Sequence, residues 1–78
     1  MYILATDGTH DVELVHMKLH EKVAALRKLK NKTQKQMADF IGIGVTAYSN
    51  KETGKRKFTI EELEKIASFL GEKITIFF

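Results

Sequence analysis

Thr33-Gln34-Lys35-Gln36-Met37-Ala38-Asp39-Phe40-Ile41-Gly42-Ile43 runs directly into Gly44-Val45-Thr46-Ala47-Tyr48-Ser49-Asn50-Lys51-Glu52-Thr53-Gly54. The two segments read as short helices on either side of a tight turn. Thr33 stands where an N-cap hydroxyl is wanted, and the helix behind it runs from Gln34 to Ile41. Gly42 supplies the positive φ that a sharp turn after that helix requires. The next helix spans about Val45 to Thr53 and stops at Gly54. Met37, Ile41, Ile43 and Tyr48 fall where both helices face a shared core, and the small Ala38 allows them to approach closely.

Further helices are expected on both sides. Residues 17–31 carry Leu19, Val23, Leu26 and then Leu29 or the stem of Lys30 along one face. Thr59-Ile60-Glu61-Glu62 is a capping box that opens a helix reaching about Leu70, with Gly71 at its end. The chain ends differ in character. Lys73-Ile74-Thr75-Ile76-Phe77-Phe78 is β-rich, as are Tyr2-Ile3-Leu4-Ala5 and Val12-Glu13-Leu14-Val15, with the hairpin signal Asp7-Gly8 between the latter two. The expected fold is mainly α: a small bundle of about four helices with short β-strands at the N- and C-termini. Residues 1–16 read as a hairpin-like extension or a loosely ordered leader, 17–71 as the helical body, and 72–78 as a strand.

Charge is segregated along this frame. Ten basic and two acidic residues lie between Lys22 and Lys57, whereas residues 1–21 and 58–78 are net acidic. A basic face of this kind most often meets the nucleic acid backbone, the alternative being a merely solvated surface. Seventy-eight residues without cysteine make one small domain, with no disulfide or thiolate metal site. No apolar run suits a membrane span and no secretory signal opens the chain, so a cytoplasmic protein is expected. An enzyme is not expected, nor a cofactor. His16 and His20 stand at i, i+4 and His10 would make a third metal ligand, but without a fourth they read as surface histidines.

Short helix, glycine turn and short helix at these spacings make a helix-turn-helix, whose second helix enters the major groove. The ordered set Thr33-Gln34-x-x-Met37-Ala38-x-x-Ile41-Gly42-Ile43, Ala47-Tyr48-Ser49, Glu52-x-Gly54-Lys55-Arg56 and Leu63-x-x-Ile66-Ala67-x-x-Leu70-Gly71 resembles the phage repressor and Cro type (XRE-like) of helix-turn-helix domain. The match runs without a gap from about Leu19 to Gly71. The resemblance implies that Val45, Thr46 and Asn50 read base edges: valine or a threonine methyl against a thymine methyl, Asn50 bidentate on adenine. It implies backbone contacts from Gln34, Ser49, Lys55, Arg56 and Lys57, and a partly buried structural salt bridge between Arg27 and Glu52.

The same resemblance implies a sequence-specific regulator of transcription, most often a repressor, that binds double-stranded DNA as a homodimer on an inverted-repeat operator. An antitoxin, with a toxin partner, is a close variant. An interaction module that kept the fold and lost DNA binding is the alternative from another class. Three positions depart from the pattern. Lys51 replaces an apolar residue, so its stem snorkels or the helix end packs loosely. Gly44 replaces a Ser or Thr N-cap, and Val45 is less polar than usual. Strand-like residues stand where the family has a fifth helix; Ile74, Ile76 and Phe78 are expected there in a dimer interface, because an uncovered apolar strand needs a partner.

Overall fold

The computed structural model describes residues 17–78, so the expected N-terminal hairpin and the placements of His10 and His16 lie outside the described residues. Within them run α1 (Leu19–Leu29), α2 (Gln34–Ile41), α3 (Val45–Glu52), α4 (Ile60–Leu70) and a closing 3-10 helix (Ile74–Phe77).

Local chemistry sets most of the helix ends. Thr33 and Thr59 both close capping boxes: each hydroxyl accepts from the N–H three residues on, and Gln36 and Glu62 accept the cap N–H in return. Gly42 and Gly71 end α2 and α4 at φ 83° and 73°, and Gly54 follows α3 at φ 88°. At Gly42 the left-handed turn lets two successive N–H groups, those of Gly42 and Ile43, reach the Ala38 carbonyl. This turn directs α3 across α2.

The first helix is shorter than residues 17–31. It ends because Asn31 adopts φ 59°, a conformation asparagine tolerates better than most residues. The Asn31 and Lys32 N–H groups then bond the carbonyls of Lys28 and Arg27, each at 3.0 Å, a pattern that closes the helix. Val23 and Leu26 carry the inner face, while Leu29 stays 50% exposed. Lys30 instead pairs with Glu72 at 2.9 Å, beyond the end of α4.

The core gathers side chains from every element: Val23 and Leu26 of α1, Met37 of α2, Tyr48 of α3, Leu63 and Ile66 of α4, and Phe77 of the 3-10 helix. Burying one such side chain is worth about 1.5–3 kcal/mol. α2 packs against both α3 and α4, so the face α3 turns inward is fixed by its neighbours.

The expected C-terminal strand is a correction. Ile74–Phe77 form a 3-10 helix, with Ile76 N–H on the Lys73 carbonyl and Phe78 N–H on that of Thr75, both at 3.0 Å. A strand would put Ile74, Ile76 and Phe78 on one face and turn Phe77 away. The 3-10 turn instead buries Phe77 to 3% exposure, with Ile74 partly buried beside it. It packs on α1 and α4. Burial of a phenylalanine outweighs the β preference of the segment, which is weak and set by context.

Candidate nucleic-acid interface

Helix α3 is amphipathic in an unusual sense: its inner face is held by a polar network rather than by apolar packing alone. Tyr48 and Glu52 stand at i, i+4 and are both buried, Glu52 to 6% exposure. The Glu52 carboxylate accepts four hydrogen bonds. Arg27 Nε and Nη2 donate at 2.8 and 3.0 Å, Tyr48 Oη at 2.6 Å and Gln34 Nε2 at 2.9 Å. Arg27 Nη1 also donates to the Lys32 carbonyl at 2.8 Å, so α1, its C-terminal turn, α2 and α3 meet at one carboxylate.

The electrostatics follow from this arrangement. Burial pushes the Glu52 carboxyl up, but the bonds from Arg27, Tyr48 and Gln34 outweigh it and hold the group below the ordinary carboxylate range. The Glu52 hydrogen bond raises Arg27 against the opposing effect of burial. Burial, and then the bond to Glu52, pushes the Tyr48 hydroxyl far above its usual value. Tyr48 therefore stays a donor and Glu52 a carboxylate at neutral pH.

The opposite face of α3 looks outward among the described residues. Val45 and Thr46 are exposed, and Ser49 and Asn50 are half-buried at the next turn. Thr46 and Asn50 stand one turn apart on that face. Beyond the helix, Lys55, Arg56 and Lys57 are all exposed in the connection to α4. The N–H groups of Lys55 and Arg56 bond the Asn50 carbonyl at 2.9 and 3.1 Å, which ties the backbone of this connection to the last turn of α3.

Gln34, the first residue of α2, spends one amide donor on Glu52; its second N–H remains for another acceptor. His20 of α1 lies against Gly54, where an added Cβ would sit 2.8 Å from the ring Cε1. Gly54 is thus needed for close approach as well as for positive φ. Among the described residues no group of three His, Cys, Asp or Glu side chains is placed to hold a metal ion. No helix among them is long and apolar enough to cross a membrane.

Two features were not legible from spacing. Lys51 pairs with Glu62 at 2.9 Å, and Phe40 stacks on Phe69 with ring centroids 4.5 Å apart, under the ammonium of Lys32. The departure of Lys51 from the family pattern was the signal that could have found the first. The second joins α2 to α4 across sequence positions that no local pattern relates.

A helix with an exposed polar face, set by a glycine turn onto a preceding helix and followed by three cations, defines the helix-turn-helix class. The helix-turn-helix family matches residues 23–77, and the chain belongs to it. It is 52% identical over 54 residues to the cryptic phage CTXphi transcriptional repressor RstR of Vibrio cholerae serotype O1 (strain ATCC 39315 / El Tor Inaba N16961), an alignment covering 69% of this chain and 48% of that protein. The chain spans about half the length of the curated relative it matches. No solved structure matches it.

Proposed function

We propose that this protein is a sequence-specific duplex DNA-binding regulator of transcription, a repressor that occupies its operator. The observation that carries the reading is the pairing of an outward-facing α3 surface with three exposed cations, Lys55, Arg56 and Lys57, on the connection whose backbone is tied to the last turn of α3. In this reading Val45, Thr46 and Asn50 meet base edges in the major groove, while Gln34, Ser49, Lys55, Arg56 and Lys57 hold the phosphates. The Glu52 network fixes the roll of α3, so that the same residues always face outward. Similarity to a phage transcriptional repressor supports the regulatory role. The role implies a cytoplasmic protein with no catalytic step.

One helix-turn-helix reads few base pairs, so the reading includes a homodimer with recognition helices about 34 Å apart on an inverted repeat. Strand pairing between copies is no longer part of it, because residues 74–77 are helical. Phe78, 72% exposed, and the half-buried Ile76 before it remain the apolar surface offered to a second copy, whereas Ile74 shares the inner face of the 3-10 turn with Phe77. Selection of bound sequences from a random duplex pool, followed by binding at graded salt, tests the function. Enrichment of a palindromic site bound well above random duplex is expected. Weak association with every sequence, erased by salt, would make the chain an interaction module instead. Sedimentation with and without the selected site tests the dimer.

A further inference from the structure

Lys51, in the last turn of α3, keeps its ammonium inside the structure. Its Nζ donates to the Lys57 carbonyl at 3.1 Å and to Glu62 Oε1 at 2.9 Å, and the side chain is only 13% exposed. The same Glu62 oxygen accepts the Thr59 N–H at 2.9 Å, and the Glu62 N–H returns a bond to Thr59 Oγ1. One carboxylate therefore caps α4 and anchors Lys51. The stretch between, Lys55 to Lys57, is fastened at its start by the Asn50 carbonyl and at its end by Lys51. Both ties run to α3.

We propose that Lys51 is a positioning residue for DNA binding, spending its charge within the protein to hold the Lys55–Lys57 connection in register with α3. This rests on the DNA-binding reading above. An apolar side chain at 51 would fill the same space yet offer no donor to the Lys57 carbonyl. The three cations would then have to be ordered on the duplex rather than before it. Burial pushes the Glu62 carboxyl up, and the bonds from Thr59 and Lys51 outweigh it and hold it low, so the anchor is charged at neutral pH.

The double variant Lys51→Met, Glu62→Gln isolates the effect, since it leaves net charge unchanged and glutamine can still complete the capping box. Binding to the sequence selected from the random pool should weaken about tenfold, the scale of ordering one backbone residue on association. The salt slope should stay as in the wild type, because the number of phosphate contacts is the same. Heteronuclear NOE values at residues 55–57 of the free protein should fall. If the double variant does not fold, Lys51→Gln, whose amide ends one atom short of the ammonium, carries the same expectation. Affinity within about twofold of wild type, or unchanged NOE values, would overturn the proposal. So would a slope lower by about one unit, which would mean that Lys51 itself touches phosphate. A wild type that binds no duplex overturns the DNA-binding reading as well, whereas a binding wild type with an unaffected variant overturns this proposal alone.

Discussion

Replacing Arg27 with methionine keeps most of the side-chain stem and strands the Glu52 carboxylate in the interior. In the native protein the two side chains are 12% and 5% exposed and share two hydrogen bonds of 2.8 and 3.0 Å. Tyr48 and Gln34 still donate to the carboxylate after the change. Breaking a buried pair from one side costs about 3–5 kcal/mol, and the two remaining donors put the expected loss near the lower end. A chain of this size has on the order of 4–12 kcal/mol of stability in total. A loss of about 3 kcal/mol should lower Tm by about 12–24 °C. Adding Glu52→Gln removes the stranded charge while keeping an acceptor for Tyr48, so the double variant should melt above Arg27→Met alone. Thermal and urea unfolding followed by circular dichroism at neutral pH measures all four corners of the cycle. An Arg27→Met protein melting within about 5 °C of wild type, or strictly additive losses, would refute the view that this carboxylate depends on its guanidinium partner.

Stability should also depend on pH at both ends of the range. Glu52 and Glu62 are held low in the fold, so their contribution is complete above the ordinary carboxylate range and lost as pH falls through their lowered values. Tyr48 is raised; its contribution is complete below about 10 and declines above it. Urea midpoints across pH would show both limbs, and Tyr48→Phe should flatten the alkaline one. Gly42→Ala, at φ 83° with open space around it, should cost about 1–2 kcal/mol. Gly54→Ala should cost more, because the new Cβ meets His20, and His20→Ala should recover the difference in the same melts. Phe77→Ala should lose about 3–5 kcal/mol, while Phe78→Ala should fold with a stability within about 0.5 kcal/mol of wild type; equal losses would mean the 3-10 turn does not hold in solution. On DNA, Asn50→Ala should cost about 1–3 kcal/mol on the selected site and little on random duplex. Lys55→Ala with Arg56→Ala should weaken both, lowering the salt slope by about two units in anisotropy titrations.

The helical frame was legible in the sequence because its signals are local. A threonine with Gln or Glu three residues on closes a capping box within a single turn, so Thr33 and Thr59 set helix starts whatever lies around them. Gly42, Gly54 and Gly71 take φ values that other side chains resist, which makes their turns a property of the chain itself. The inward positions of Tyr48 and Met37 followed from helical spacing in the same way.

Other features depended on what the folded chain brings together. Asn31 ended α1 short of residue 31, and Leu29, the last residue of the helix, lies half exposed outside the core. The alternating pattern of residues 73–78 suits a strand, yet no strand lies beside it among the described residues. The 3-10 coil instead packs on α1 and α4 and buries Phe77. Glu52 gathers donors from positions 27, 34 and 48, and Lys51 finds Glu62 across the connection that carries the basic residues. The sequence determined where helices start and stop, because those energies are decided within a few bonds along the chain. Tertiary packing alone decided which charge was buried, which was paired and which was left facing outward, because desolvation depends on neighbours distant in sequence.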